Sequence, residues 1–494
     1  MNSTRTTRLI LSCATVLTLA LCARVCAAGP PNFVWIIADD MSPDIAAYGV
    51  NQVCTPHLDS LAADGRCYAR AYATAPVCSA SRSAFILGCY QTTTGLHPHD
   101  VENPQPLPSP YRHLPGLLRD AGWFVSNAAA PGSKRSGKTV SKGKTHYNFN
   151  HDPEEMFDGD DWRKRKPGQP FFAQFQITEP HRPFPIPSTY DEEKLRTIEL
   201  PSSYPDTPLT RRDWYAYQRS VEVVDQRVGL ILDQLREEGV LENTIVMFFA
   251  DHGRPMPWGK QWLSVEGLRV PLLMRGPGIA GKTVEDRLVS LIDLAPSMLK
   301  LAALPVPAWM EGRPILGDDF PKRDAVFAAR DRCGDAMDRI RAVVGLDTLF
   351  VQNFNTNSRL NWSSYKEATY PGMPLLRVLE ATGRLHAFQS GWLAPNRPPV
   401  ELYILKNDPQ GVHDVAKDPR YSGTLATMQR QLEDWITSSN DRGASGDPAT
   451  EPPLDQIQRQ KRSDYQRAWK SRIQKPEPTD AERLAWWMKS YGLE

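Results

Sequence analysis

Two seven-residue apolar runs, each stopping at an acidic residue, constrain this chain more than any other feature. Asn32–Ala38 reads NFVWIIA and ends at Asp39-Asp40; Thr244–Ala250 reads TIVMFFA and ends at Asp251-His252. Short runs of this kind, without polar alternation, predict strands buried on both faces. Helical signals lie around them. Thr55-Pro56 opens a helix that Gly65 closes, with proline at the first helical position. Between Asp213 and Glu238, Trp214, Tyr217, Val221, Val224, Val228, Ile231 and Leu235 recur at steps of three and four, one face of a long amphipathic helix. Pro271–Met274 is a further strand candidate. Buried strands interleaved with helices predict an α/β fold, a large central and mostly parallel sheet flanked by helices. In such sheets polar residues just past the strands' carboxyl ends converge on one crevice. Asp39, Asp40, Asp251 and His252 stand at such ends.

The 494 residues exceed what one hydrophobic core usually serves. Arg5 and Arg8 precede the apolar stretch Leu9–Leu21, and Cys26-Ala27-Ala28 offers small residues for cleavage. This reads as a signal peptide over residues 1–28, so the mature protein is expected to be exported, periplasmic or secreted. The main domain is expected over residues 29–338. After about Asp338 the pattern changes: Ala342–Phe350 and Glu401–Leu405 read as shorter strands and Tyr421–Thr437 as a helix. They predict a smaller C-terminal α/β subdomain over residues 339–437. Ser438–Pro453 is rich in Ser, Asp, Gly and Pro and reads as a linker. A charged tail carrying Trp486-Trp487 completes residues 438–494. With 58 basic and 57 acidic residues the net charge is +1, which leaves no electrostatic footprint for nucleic acid. No segment after the leader reaches the ~18 apolar residues of a membrane span. Thirteen tryptophans suit a sugar-binding surface, although packing is the commoner role of any one of them.

Cys13, Cys22 and Cys26 leave with the leader, and Cys54, Cys67, Cys78, Cys89 and Cys333 remain. An odd count in an oxidising compartment marks one thiol for another fate. If that one is Cys78, the other four form up to two disulfides, with the pairing open. Ser79–Leu87 reads as a helix, which seats Cys78 at an N-terminus that favours anions. Arg82 lies one turn further in. Paired carboxylates after a strand are often only caps. Three carboxylates and an imidazole at two strand ends can cage a divalent cation: oxygen ligands suit Ca²⁺ or Mg²⁺, and the imidazole admits zinc or manganese.

Cys78-Ser79-Ala80-Ser81-Arg82, with Gly88 ten residues past the cysteine, resembles the formylglycine signature of the sulfatases: Cys, any residue, Pro or Ala, any residue, Arg. The rest of that family's pattern follows in order. It comprises Asp39-Asp40, Gly143-Lys144-Thr145-His146, His181 in Glu179-Pro180-His181-Arg182-Pro183, Asp251-His252-Gly253, and Lys260. The likeness runs from about Asn32 to Leu405 and includes Glu311-Gly312-Arg313-Pro314. It implies an alkaline-phosphatase-like fold and oxidation of Cys78 to formylglycine (3-oxoalanine) by a maturing enzyme. It also implies one Ca²⁺ held by Asp39, Asp40, Asp251, His252 and the modified Cys78. Arg82 would orient the hydrated aldehyde, and Lys144 and Lys260 would bind sulfate oxygens. His181 would protonate the departing oxygen, and His146 would take a proton to regenerate the aldehyde. His252 stands where many sulfatases have asparagine. The segment before Lys144 is longer than usual and makes Lys138 a rival for its role.

Asp251–Lys260 (DHGRPMPWGK) and Arg330-Asp331-Arg332 resemble the branch of heparan N-sulfatases and bacterial polysaccharide sulfatases. Arg330 and Arg332 are therefore expected at the substrate, which is expected to be a sulfated glycan, and His97, shortly after the signature helix, is expected to reach the same pocket. A sulfamate or phosphonate hydrolase on the same fold is the alternative, and a non-catalytic glycan binder a third reading. A two-zinc phosphatase is disfavoured, because Asp293 is followed by Leu-Ala-Pro-Ser rather than by a histidine ligand.

Overall fold

The computed structural model describes residues 29–135, 138–316, 322–356 and 361–493. The expected leader, with its expected cleavage near Ala28, lies outside them. Both apolar runs form strands with the expected bounds. In chain order the main-sheet strands are β1 (Asn32–Ala38), β2 (Arg66–Tyr68), β3 (Phe124–Ala129), β4 (Phe171–Ile177), β5 (Thr244–Ala250), β6 (Leu272–Arg275) and β7 (Thr283–Glu285). They lie side by side as β7-β2-β6-β5-β1-β4-β3. β1 runs parallel to both β5 and β4, and β4 parallel to β3. β6 is antiparallel to β5 and β2.

Helices cover the sheet. They include α1 (Pro56–Ala63), α2 (Cys78–Leu87), α3 (Leu114–Asp120) and α4 (Pro208–Glu237). α4 begins five residues before the periodic stretch because Thr207 caps it, accepting the Thr210 N–H at 3.1 Å, with Pro208 at the first position. Trp35 shows why β1 needs no alternation. Its ring is fully buried and meets Phe85 of α2, Phe172 of β4 and Phe249 of β5 edge-on, at 5.9, 5.3 and 5.4 Å. Edge-on pairs of this kind contribute about 0.5–1.5 kcal/mol each beyond burial. α2 stops at Gly88, whose φ of +72° favours glycine and whose Cβ would meet Met310 Sδ at 3.2 Å.

α3 carries an acid-sensitive cap. His113 Nδ1 accepts the Gly116 N–H at 3.0 Å, so the ring must be unprotonated there. Burial, with Arg119 and Arg112 nearby, lowers the His113 pKa from 6.5 to about 4. The unfolded chain therefore binds the extra proton first, and the stability from this group is lost as pH falls from about 6.5 towards 4. His113→Asn keeps a capping oxygen without the titration. It is expected to flatten the fall of thermal midpoint over that interval, measured by calorimetry against the unsubstituted protein.

A second, antiparallel sheet orders β8 (Val326–Arg330), β9 (Ile340–Val344), β10 (Thr348–Asn353) and β11 (Val400–Ile404) consecutively. Ala342–Phe350, expected as one strand, is instead a hairpin, because the chain reverses at Gly345-Leu346-Asp347 and Gly345 N–H donates to Thr348 O at 2.9 Å. β8 joins this sheet although it precedes Asp338. α5 (Ser364–Thr369) and α6 (Gly372–Ala381) follow β10, and α7 (Ser422–Ser438) packs Met428, Leu432 and Trp435 against the sheet. The tail forms α8 (Leu454–Ile473) and α9 (Asp480–Ser490), which pack on α5 and α6. Ser438–Pro453 is a pinned connection, since Asp447 and Glu451 pair with Arg332. None of the helices among the described residues is long and apolar enough to cross a membrane.

The described cysteines are all free thiols, so Cys54, Cys67, Cys89 and Cys333, which could have formed up to two disulfides, form none. Cys67 sits in β2, Cys89 donates to Trp309 O at 3.1 Å, and Cys54 is exposed. Tryptophans 35, 123, 162, 214, 258, 262, 362, 392, 435, 469 and 487 are buried in the core, so packing is their role.

Candidate active site

Register builds the site. Ala38 lies opposite Ala250 on one side and Ile177 on the other, so three parallel strands end together. Strands of equal rise in register deliver their following residues to one place. Asp39-Asp40 thus meets Asp251-His252, and the turn after β4 brings His181. Asp40 adopts a left-handed φ of +62°, and its N–H donates to Asp251 Oδ1 at 3.0 Å. That bond ties the two strand ends across 211 residues.

α2 enters from the side with Val77 as its extended N-cap and Cys78 as its first residue. Cys78 Sγ lies 3.2 Å from His252 Nε2, 3.4 Å from Lys260 Nζ and 3.6 Å from Asp40 Oδ1. Burial alone would raise this thiol. Lys144, Lys260 and His252 instead hold it well below the ordinary thiol range. Arg82, one turn on, bonds to three neighbouring side chains. Nε donates to Asp251 Oδ2 at 2.8 Å, Nη1 to Gln176 Oε1 at 2.8 Å and Nη2 to Asp39 Oδ1 at 3.2 Å. It therefore fixes the carboxylates.

The two lysines face the same centre. Lys144 Nζ reaches Asp39 at 2.7 and 2.9 Å, and buried Lys260 Nζ reaches Asp40 at 2.8 and 3.0 Å. Lys138, the rival, is exposed on a two-stranded ribbon (Lys138–Thr139 with Lys134–Arg135) outside the pocket lining. Lys144→Ala is expected to lower kcat about 10²–10³-fold, as loss of a preorganised charge at a reacting centre does. Lys138→Ala should leave it within about twofold; steady-state rates on one sulfate ester decide between them.

His181 Nδ1 donates to Arg182 O at 2.6 Å, which leaves Nε2, 3.8 Å from Asp40 Oδ2, for the pocket. His146 Nε2 meets Asp100 Oδ1 at 2.8 Å, leaving Nδ1 for the Cys78 side of the pocket. Burial opposes charge on His146, but the bond to Asp100 raises its pKa to about 9. His252 is raised to about 10: burial opposes the charge, and Asp251 and Asp40 more than offset it. Asp251 is pushed up to about 7 by burial and by Asp39 beside it.

A cavity of about 390 Å³ opens over Cys78, Lys144, His146, His181 and Lys260. His99 and Asp100 also line it, as do Tyr365 of α5 and Lys461, Tyr465 and Arg472 of α8. Sequence reasoning passed over His99 and Asp100, although Asp100 next to a histidine was a signal. Tyr365 and the α8 residues carry no motif.

Three expected substrate contacts stand elsewhere. Buried Arg330 lies over the Trp262 ring at 4.5 Å and 3.7 Å from Asp338. Arg332 is buried against Asp447 and Glu451. His97 Nε2 meets Gly446 O at 3.0 Å. None of the three lines the cavity over Cys78. Asp293 is structural, accepting from Arg313 N–H at 2.7 Å and Arg323 Nη2 at 2.6 Å.

Donor atoms of Asp40, Cys78, Asp251 and His252 lie within 4.8 Å of one another, all buried. With the Asp39 carboxylate alongside, this is a mainly hard-oxygen donor set that fits a divalent cation.

Residues 31–304 match the sulfatase family model. The chain is 29% identical to an ulvan-active sulfatase of Formosa agariphila over 83% of this chain and 75% of that one. It is 27% identical to human N-sulphoglucosamine sulphohydrolase over 87% and 93%. A phosphonate monoester hydrolase structure from Silicibacter pomeroyi superposes with TM-score 0.59 at 17% identity, covering 83% of this chain and 96% of that one, which shows the shared fold. More than half the chain, including every residue that converges on Cys78 from β1, β4 and β5, falls within the family match, and the protein belongs to the sulfatases, hydrolases of sulfuric esters.

Proposed function

We propose that this sulfatase is an exported enzyme that removes sulfate from a sulfated glycan, using formylglycine made from Cys78 and one Ca²⁺. The observation that carries the reading is Cys78 at the start of a buried helix, with His252, Lys260 and Asp40 all within 3.6 Å of its sulfur. The ulvan and N-sulphoglucosamine activities of the two relatives support a glycan substrate. Converted Cys78 supplies a hydrated aldehyde as nucleophile towards sulfur. A cation held by Asp39, Asp40, Asp251 and His252 supplies polarisation of the sulfate oxygens.

The chain's own groups account for the rest. The Lys144 and Lys260 ammoniums bind sulfate oxygens and offset the charge that gathers there. Arg82 keeps Asp39 and Asp251 in place. His181, as the imidazolium, gives a proton from Nε2 to the leaving sugar oxygen, while its Nδ1–H stays fixed on Arg182 O. His146, with Nε2 anchored on Asp100, takes a proton at Nδ1 in its unprotonated form, which conversion of Cys78 favours by removing one of the groups that raise its pKa. Cys78 is only 2% exposed, so a maturing enzyme must act on it before the chain folds.

The test compares kcat/KM on a sulfated oligosaccharide and on an aryl phosphonate. Greater efficiency on the phosphonate overturns the reading. An N-sulfated glucosamine substrate in the same assay separates sulfamate from ester cleavage, the distinction raised by the human relative.

A further inference from the structure

One wall of the cavity comes from α5 and α8, beyond the 31–304 family match. Its most unusual member is Tyr365. Large aromatic residues are normally buried, yet this one is 37% exposed and lines the cavity. The eleven buried tryptophans offer no comparable face. The ring centroid is 6.1 Å from that of His181 and 5.7 Å from Lys260 Nζ. It therefore stands beside the groups for the leaving oxygen and the sulfate. α8 packs on α5, and its Tyr465 and Ala468 line the same cavity. A flat apolar face beside a proton donor and an ammonium matches the C–H face of a sugar whose sulfate points at Cys78.

We infer that Tyr365 is a specificity-determining residue, the platform on which the sulfated sugar ring lies; this rests on the glycan-sulfatase reading above. A platform acts on the sugar and not on the sulfate subsite. Tyr365→Ala is therefore expected to raise KM for a sulfated oligosaccharide about tenfold, the size of one aromatic contact, with kcat within about threefold. Tyr365→Phe keeps the ring and should restore KM. Inhibition by inorganic sulfate reads Lys144 and Lys260 directly, and its constant should not move in either variant.

A KM unchanged in Tyr365→Ala overturns the proposal. So does a parallel rise in KM and in the sulfate inhibition constant, which marks a structural prop for Lys260. If the unsubstituted protein releases no sulfate from any sulfated oligosaccharide, the underlying reading fails, and this proposal with it.

Discussion

Cys78→Ala is expected to lower kcat/KM by about 10⁴-fold or more, because alanine offers no thiol for conversion to the proposed aldehyde nucleophile while the binding groups stay in place. The fold should tolerate it. Alanine suits the first position of α2, and the contacts that seat the helix are Ser81 Oγ to Asp251 O at 2.5 Å and the Arg82 set. Sulfate release and circular dichroism on the same sample separate chemistry from folding. The matching observation on the unsubstituted protein is peptide mass. Conversion of thiol to aldehyde lowers the Cys78 peptide by ~18 Da, the change expected for a formylglycine nucleophile. An unmodified peptide in active protein from its native host would refute the mechanism.

The second large effect concerns the carboxylate cage. Asp251 accepts from Arg82 Nε, Asp40 N–H and His252 N–H, with one side chain serving two strands and a helix. Asp251→Asn halves its accepting capacity and removes the charge a divalent cation needs. Activity is expected to fall about a hundredfold or more, and the Ca²⁺ needed for half-maximal activity to rise at least tenfold. A chelator should inactivate the unsubstituted protein, with recovery on added Ca²⁺. Full activity after exhaustive chelation would count against the cation.

The parts of this molecule that could be read from sequence are those with a local physical signature. β1 and β5 have the bounds of their apolar runs because nothing polar interrupts either before its acidic end. The acidic ends meet as anticipated because parallel strands of one sheet share a terminus. Lys144 was separable from Lys138 by its spacing to His146, and the structure places Lys144 on Asp39. Elements whose partners are remote were misread. Ala342–Phe350 looked continuous because its turn carries Leu346, and Ser438–Pro453 looked like a linker because its ion pairs with Arg332 have no sequence mark. Arg330 and Arg332 stand near motif residues in sequence but turn into the interior, where acidic side chains meet them. Tyr365 acquires its meaning only once α5 and α8 form one wall of the cavity.

The pairing of β1 with β5 has a consequence for fidelity. Side chains alternate between the two faces of a strand, so a slip by one residue would swing Trp35 out of its slot among Phe85, Phe172 and Phe249 and carry Asp40 away from Asp251. Mispairing would thus damage the interior and the chemistry together. A chain that passes as well packed has, by the same test, aligned its reactive groups: the molecule proofreads its active centre with its core.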